Sequence, residues 1–278
     1  MRNWECGRRN VNAWRIGHSA KRLIFLKFPN YRFLRYALCT EFRVSSIEHR
    51  VSSMKITVVI PTLNEEQAIG DVVSAVPIDK VHEIIVVDNG STDDTARRAS
   101  AAGARVIQES RPGYGSACLA GAKAAAEADV IVFLDGDRSD DPEQLQAIAG
   151  PVLDNQADLV IGSRLTGALE KGAMPLHGRL GNRFIAFLLR LLYGATITDI
   201  GSFRAIKAQT LRDLNMEQMT YGWPVEMVVK AARKGLRIES VPIRYRKRIG
   251  ISKVTGSLRG SVLAAYYMFF VPLKYLFK

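Results

Sequence analysis

The chain of 278 residues lacks several features that mark common protein classes. Its three cysteines, Cys6, Cys39 and Cys118, show neither metal-ligand spacing nor an even-numbered disulfide framework. No glycine-rich dinucleotide fingerprint and no Walker lysine motif follows the first β-rich run, which removes the main support for a dinucleotide oxidoreductase or a P-loop enzyme. The sequence therefore predicts a protein of a reducing compartment, without disulfides, that holds any nucleotide by other means.

A long uncharged apolar segment is also missing. The C-terminal stretch between Arg259 and Lys274 contains 14 uncharged residues, fewer than the roughly 20 that a membrane-spanning helix needs. We interpret this stretch as an interfacial or re-entrant helix, with a terminal core helix as the alternative. Residues 1–53 contain no apolar core of the signal-peptide type, so we interpret them as a flexible basic extension, with a targeting role as the alternative.

Acidic side chains are scarce at both ends of the chain. Residues 230–278 carry 12 basic side chains and the single acid Glu239, and residues 1–53 carry 11 basic and 3 acidic side chains. Clustered positive charge suits nucleic acid, an anionic membrane surface or phosphorylated substrates. Because the C-terminal basic stretch is followed by an apolar one, which nucleic-acid binding does not need, we expect a membrane surface and no nucleic acid as partner.

From Met54 onward, short β-rich runs alternate with helical stretches, a pattern that predicts an α/β fold with a mostly parallel sheet flanked by helices. The predicted strands are 55–60, 83–87, 104–107, 130–134 and 158–161, and the predicted helices are 65–76, 92–102, 114–127 and 142–153. Further along we expect helices near 179–193 and 224–234, a short segment over 196–206, a strand within 236–245 and a basic loop over 246–256.

Two carboxylates flank a glycine at the end of the fourth predicted strand, in Asp135, Gly136 and Asp137. Open α/β sheets bind ligands at the carboxyl ends of their strands. Carboxylate oxygens suit a hard cation such as Mg²⁺ or Mn²⁺ that carries a diphosphate, and the glycine lets a nucleotide approach the backbone. The same tripeptide is also a common turn, so its interpretation depends on the other strand ends.

Polar residues follow the first two predicted strands as well. Residues 61–66, Pro-Thr-Leu-Asn-Glu-Glu, begin a helix with carboxylates in its first turn, which is ordinary helix initiation. Asp88 precedes Ser91 and Thr92, either of which can cap the next helix. A cap needs only one of these polar groups, so we expect Asp88 to accept hydrogen bonds from a nucleobase or ribose.

These motifs, in this order at the ends of successive strands, resemble those of the family 2 glycosyltransferases with the Rossmann-like GT-A fold. More narrowly, the chain is similar to the dolichol-phosphate mannosyltransferase and polyprenyl-phosphate glycosyltransferase branch. The narrower resemblance covers residues 54–260 and rests on the motifs at residues 113–117, 162–164, 199–204 and 248–253.

The resemblance implies an inverting, metal-dependent transfer of a hexose from a nucleotide diphosphate sugar to a polyprenyl phosphate at the cytoplasmic face of a membrane. It implies Mg²⁺ or Mn²⁺ as cofactor, held by Asp135 and Asp137. The other implied site residues are Pro61, Leu63 and Glu65 in the nucleotide pocket, Asp88 near the base, Gly136 and Ser139 beside the diphosphate, and Arg164, Arg179, Arg248 and Lys253 where negative charge develops.

Asp199 leaves two interpretations open. With a hydroxyl acceptor it would act as general base, whereas an ionised lipid phosphate needs no strong base and Asp199 would then orient the arginines or the acceptor. Glu226, near the start of a predicted helix, has a similarly open role. A non-catalytic membrane-binding module that retains the nucleotide fold is a further hypothesis, against which the set Asp135, Asp137 and Arg248 argues.

The resemblance also suggests how the chain reaches the membrane. Some members of this branch carry two or more C-terminal transmembrane helices, whereas this chain has one short apolar segment. The alternatives are therefore peripheral or monotopic attachment, a membrane subunit as partner, or a truncated anchor, and a homo-oligomer is a further alternative for the partner. We divide the chain into the basic extension 1–53, a catalytic domain over 54–235, and a phosphate-binding and membrane-associating segment over 236–278.

Overall fold

The computed structural model describes residues 54–250, 252 and 258–277. In this part of the chain, seven strands form one sheet with helices on both faces. The strands are β1 (Ile56–Thr62), β2 (Glu83–Asp88), β3 (Arg105–Gln108), β4 (Val130–Phe133), β5 (Leu159–Ser163), β6 (Arg204–Lys207) and β7 (Ile238–Pro242). The helices are α1 (Ile69–Ala75), α2 (Thr95–Ala101), α3 (Tyr114–Ala124), α4 (Leu145–Leu153), α5 (Leu176–Tyr193), α6 (Ala208–Leu214), α7 (Trp223–Arg233) and α8 (Leu258–Lys274).

The strand order is β3-β2-β1-β4-β6-β5-β7. β1 runs parallel to β2 and β4, β2 to β3, and β5 to β7. β6 is antiparallel to both of its neighbours. Because β1, β2 and β4 run in the same direction, their carboxyl ends lie at the same edge of the sheet.

The central strands are continuous apolar runs because both of their faces are covered. β1 and β4 are buried along their whole length. One apolar layer packs under α3, α5, α7 and α8, and the other under α1, α2 and α4. Burial on both sides fixes the sheet as the rigid support of everything that projects from its edge.

The predicted α/β fold with a mostly parallel sheet is confirmed, and two elements of it were not predicted. β6 lies partly inside the segment 196–206, and α6 follows it directly. The strand was missed because Arg204 interrupts its apolar pattern. That arginine is nevertheless buried, since its guanidinium donates hydrogen bonds to the carbonyl oxygens of Gly201 and Pro224.

Helix α8 occupies the C-terminal stretch, and Val271 on it and Tyr275 just beyond it are buried. None of the helices in the described residues combines the length and apolarity needed to cross a bilayer. β7 extends the sheet past residue 235. The interfacial role of α8 and the three-part division of the chain stay predictions, and residues 1–53, with Cys6 and Cys39, lie outside the described residues. Cys118 is a buried free thiol.

A substitution at Gly121 tests how closely α3 packs against the sheet. A Cβ atom at this position would lie 2.3 Å from Val59 Cγ1 and 2.9 Å from Val87 Cγ2. We expect Gly121→Ala to lower the free energy of unfolding by about 1–3 kcal/mol through overpacking, measured by urea denaturation.

The matched control is Gly181→Ala on α5, where a Cβ would have no neighbour within 4 Å. This variant is expected to raise the free energy of unfolding by about 0.5–1 kcal/mol, because alanine is the better helix former. Equal effects of the two substitutions would contradict the packing argument.

Candidate active site

Arg248 joins the end of β1 to the end of β4. Its Nη2 lies 3.1 Å from Glu65 Oε1, and its Nη1 lies 3.1 Å from Asp137 Oδ2. The chain reaches this position because residues 245–249 run beside residues 137–140: the amides of Arg246 and Ile249 donate to the carbonyl oxygens of Ser139 and Asp137. Three predicted site residues far apart in sequence are thus brought into contact.

The turn after β4 fixes Asp137. This residue is 5% exposed, and its Oδ1 accepts a hydrogen bond of 2.9 Å from the amide of Ser139. Gly136 has a packing role that the sequence did not reveal, because a Cβ there would lie 2.8 Å from Thr62 Cγ2. The glycine therefore allows the turn to pack against β1, which is a different reason from the predicted approach of a nucleotide.

Asp135 is partly buried beside Asp137. Burial first, and the charge of Asp137 second, raise the pKa of Asp135 to about 6. Tyr114, the first residue of α3, donates its hydroxyl hydrogen bond to Asp135 Oδ1 at 3.3 Å. Two carboxylates held this close repel each other, so the position favours a bound cation.

The residues present fit a divalent cation. Asp135 and Asp137 offer the oxygen ligands that Mg²⁺ and Mn²⁺ prefer. Across the described residues, no three His, Cys, Asp or Glu side chains are grouped to hold a metal by themselves. An ion held by these two aspartates would therefore take further oxygen ligands from a diphosphate or from water.

Asp140 is a further buried carboxylate of the same turn, and its burial was not predicted. It is 1% exposed, and its Oδ2 accepts a hydrogen bond from Ser202 Oγ at 3.2 Å. Burial and then the charge of Asp135 raise the pKa of Asp140 well above its ordinary value. Its position after the Asp-Gly-Asp motif was the available sequence signal.

Arg164 and Asp199 form a two-point ion pair at the end of β5. The guanidinium donates from Nε to Asp199 Oδ2 at 2.7 Å and from Nη2 to Oδ1 at 2.8 Å, and the Arg164 amide adds a bond of 3.0 Å to Oδ2. The ring of Tyr245 lies 5.2 Å from the guanidinium carbon. Burial alone would raise the pKa of Asp199, but the charge and hydrogen bonds of Arg164 outweigh it and hold the pKa below its ordinary value.

The residues predicted for the base and ribose lie at the ends of β1 and β2. Pro61 is buried within β1, whereas Leu63 is 36% exposed just after it. Asp88 is buried, and its two oxygens accept hydrogen bonds from the Ser91 amide at 2.9 Å and from Gln108 Nε2 at 3.0 Å. Asp88 therefore shapes the loop after β2, and its role toward a nucleotide stays a prediction.

The remaining candidates differ in their placement. Arg179 lies in the first turn of α5, and its buried Nε has no hydrogen-bond partner among the residues described. Lys253 lies outside the described residues. Glu226 is fully buried in α7, where the amides of Glu217 and Gln218 donate to its carboxylate.

A cavity of about 330 Å³ lies between α5 and the segments next to the Arg164–Asp199 pair. Its polar lining includes Arg183 and Arg190, and Thr166 and Thr198 come from the two adjoining segments. The apolar lining consists of Leu165, Ala186, Phe187 and Ile197. The cavity thus combines positive charge with an apolar wall.

The mostly parallel sheet and the paired carboxylates after β4 are consistent with a nucleotide-sugar transferase of the GT-A type. The model of glycosyl transferase family 2 matches residues 57–214. The chain belongs to this family.

Relatives and solved structures agree with this assignment. An uncharacterized glycosyltransferase of Mycobacterium tuberculosis is 40% identical over 210 residues, which are 75% of this chain and 94% of the relative. A dolichyl-phosphate hexose transferase of Haloferax volcanii is 36% identical over 213 residues, 75% of this chain and 90% of the relative. The structure of glucosyl-3-phosphoglycerate synthase from M. tuberculosis matches with a TM-score of 0.66 and 25% identity, covering 82% of this chain and 85% of that one.

The Arg164–Asp199 pair predicts a pH-dependent stability. Because the folded pKa of Asp199 is depressed, the pair stabilises the fold fully above the ordinary aspartate pKa of about 4 and loses this contribution as the pH falls further. At pH 7, Asp199→Asn should lower the free energy of unfolding by about 3–5 kcal/mol, because it leaves a buried guanidinium without its charge partner.

The measurement is thermal unfolding of both proteins from pH 8 to pH 3. The difference in melting temperature should stay constant down to about pH 4–5 and shrink below it. A difference that grows on acidification would contradict the assigned ion pair.

Proposed function

We propose that this family 2 glycosyltransferase transfers a hexose, with inversion, from a nucleotide diphosphate sugar to a polyprenyl phosphate at the cytoplasmic face of a membrane. The observation that carries this proposal is the cavity beside Arg164 and Asp199, which is lined by two arginines and an apolar wall. The 36% identity to a dolichyl-phosphate hexose transferase supports the same acceptor class.

The donor side of the proposal rests on the carboxylates after β4. Asp135 and Asp137 would hold Mg²⁺ or Mn²⁺, which neutralises the diphosphate and stabilises it as a leaving group. Glucosyl-3-phosphoglycerate synthase, which shares the fold, has been solved with Mn²⁺ and UDP-glucose. Arg248 lies within 3.1 Å of Asp137 and can turn its planar guanidinium toward a diphosphate bound there.

On the acceptor side, a phosphate and a prenyl chain need different surroundings. Arg183 and Arg190 supply charge-assisted hydrogen-bond donors for a phosphate, and the apolar lining of the cavity suits the first isoprene units. Arg164 lies next to Leu165 of this lining and can hold the phosphate toward the donor, while Asp199 keeps the guanidinium of Arg164 in a fixed orientation.

The state of Asp199 favours an already ionised acceptor. Both of its oxygens accept hydrogen bonds from Arg164, and its pKa lies below the ordinary value, so it is a poor proton acceptor at neutral pH. A phosphate is ionised without help, whereas a sugar hydroxyl requires a base. We therefore assign Asp199 a positioning role and not the role of general base.

Two exposed apolar faces support the proposed attachment to a membrane. The five large apolar side chains exposed on α5 recur every three or four residues, and α8 adds a second exposed set. On α5 they are Leu176, Leu180, Phe184, Phe187 and Leu191, and on α8 they are Val262, Leu263, Tyr266, Phe269 and Phe270. Neither helix contains an acidic residue, which suits an anionic lipid surface.

The first test is transfer of radiolabel from a panel of nucleotide sugars into organic-extractable lipid, with membranes and Mg²⁺ or Mn²⁺. Lipid-phase label should fall about 100-fold or more in Asp137→Ala, because the leaving diphosphate loses its charge stabilisation. Asp199→Asn should fall about tenfold with an unchanged pH profile, as expected for misplacement of Arg164.

Donor consumption without label in the lipid phase would refute the polyprenyl phosphate acceptor. Phosphoglyceric acid, with which the synthase of similar fold was solved, is the soluble acceptor to add in that assay. A general-base role for Asp199 would be restored if Asp199→Asn abolished transfer to a hydroxyl acceptor and activity in the wild type rose with pH.

A second test addresses the membrane surface by flotation with vesicles of phosphatidylcholine and phosphatidylglycerol. The double variant Phe184→Ser/Phe187→Ser should bind about tenfold less, because two aromatic rings no longer enter the bilayer. Ile78→Ser, which removes an apolar side chain that is 65% exposed elsewhere on the protein, is the control and should bind like the wild type. Equal binding of both variants would refute the proposed surface.

A further inference from the structure

Glu226 is a buried carboxylate that the proposed chemistry does not use. It is 0% exposed and lies in the first turn of α7. Its oxygens accept hydrogen bonds from the amides of Glu217 and Gln218 at 2.8–3.1 Å, and Lys230 Nζ lies 3.0 Å from Oε1. A buried carboxylate needs such hydrogen-bond donors, and its bonds to two consecutive amides hold the segment over residues 217–219 against α7.

The C-terminal end of the described chain supplies a further partner of Glu226. Tyr275 is 3% exposed, and its hydroxyl donates to Glu226 Oε1 at 2.6 Å. Its ring also lies 5.3 Å from Lys230 Nζ and 5.4 Å from Lys274 Nζ. The end of α8 is thereby attached to the same carboxylate that positions residues 217–219.

The backbone of the segment over 217–219 in turn packs directly against the backbone at the start of α3. The amide of Ser116 donates to the carbonyl oxygen of Met219 at 2.9 Å. A Cβ on Gly113 would lie 2.2 Å from that oxygen, and a Cβ on Gly115 would lie 2.2 Å from the carbonyl oxygen of Gln218. A shift of this segment toward α3 would therefore press on the first turn of that helix.

Tyr114 stands between these two glycines and contacts the donor site. Its hydroxyl donates to Asp135 Oδ1, and Asp135 is one of the two proposed metal ligands. A path thus runs from Tyr275 to Glu226, from Glu226 to the segment 217–219, from that segment to the first turn of α3, and from that turn to Asp135. Its steps between segments are hydrogen bonds or close backbone approaches, and within the segment 217–219 and the turn of α3 the covalent chain connects them.

We infer that Glu226 and Tyr275 are positioning residues for the donor site, so that docking of the C-terminal helix sets the position of Asp135. The inference rests on the proposed function for the role of Asp135 but not for the contacts themselves. It gives the C-terminal segment a second role besides membrane attachment: the donor site reaches full affinity only when the end of α8 is seated on α7.

The test compares two substitutions in the full-length protein, each of which deletes a hydroxyl that attaches the C-terminal end of α8 to another part of the protein. Tyr275→Phe removes the hydrogen bond to Glu226 and the interaction of the same hydroxyl with Glu217, which belongs to the segment 217–219. Tyr193→Phe removes the hydrogen bond from the Tyr193 hydroxyl to the Pro272 carbonyl oxygen, which attaches α8 to α5 without involving Glu226. Both variants keep their rings, so the pair separates the path through Glu226 from attachment of the helix in general.

The first readout is hydrogen exchange by mass spectrometry, which does not depend on any ligand. Tyr275→Phe should increase exchange in residues 113–118 and 134–139, whereas Tyr193→Phe should leave both stretches unchanged. Unchanged exchange in Tyr275→Phe, or equal changes in the two variants, would overturn the inference.

The second readout is calorimetric titration with Mn²⁺ and either uridine or guanosine diphosphate. Tyr275→Phe should weaken binding about three- to tenfold, in the range carried by packed networks, and Tyr193→Phe should not. In a double-mutant cycle, Tyr114→Phe/Tyr275→Phe should bind no more weakly than Tyr114→Phe alone, because both substitutions interrupt one path. Independent, multiplicative effects would overturn the path through Tyr114.

The two readouts separate the inference from the proposed function. If the wild type binds neither diphosphate while exchange changes as expected, the proposed function fails and the coupling between α8 and Asp135 stands. If the wild type binds but Tyr275→Phe binds equally well, the positioning role fails and the proposed function stands.

Discussion

Concentrated negative charge at the end of β4 is the constraint on which the rest of the site depends. Asp135, Asp137 and Asp140 lie within six residues, and burial and mutual repulsion raise the pKa of the first and third. Such a cluster persists in a fold only if cations and hydrogen-bond donors surround it. Arg248 supplies a positive charge beside Asp137. The amide of Ser139 and the hydroxyl of Tyr114 donate hydrogen bonds to Asp137 and Asp135.

The sheet topology determines which basic side chains lie near this cluster. β7 lies at one edge beside β5, yet the chain that follows it returns along residues 137–140 and delivers Arg248. The antiparallel β6 lies between β4 and β5, and its Arg204 is buried without an acidic partner among the residues described. Burial first lowers the pKa of Arg204, whereas the charge of Asp135 acts in the opposite direction. A basic residue within a core strand thus belongs to the electrostatics of the site.

Much of this arrangement can be read from the sequence because strand ends and carboxylates carry local signals. The parallel strands and the Asp-Gly-Asp turn follow from apolar runs and a short motif, whereas Arg164 and Arg248 were candidates only through the family resemblance. β6 was missed because Arg204 interrupts its apolar pattern. The burial of Arg204 depends on hydrogen bonds to the carbonyl oxygens of Gly201 and Pro224, which cannot be predicted from the local sequence. The role of Tyr114, the structural reason for Gly136 and the position of Glu226 likewise depend on contacts between distant segments.

Arg248 ties together segments of the chain that are distant in sequence. Its guanidinium lies 3.1 Å from Glu65, which follows β1, and 3.1 Å from Asp137, which follows β4. Because two carboxylates share this one guanidinium, a substitution at Arg248 would leave both of them without its charge. A variant at Arg248 therefore alters the fold and the binding surface together, and only a measurement of stability separates the two effects.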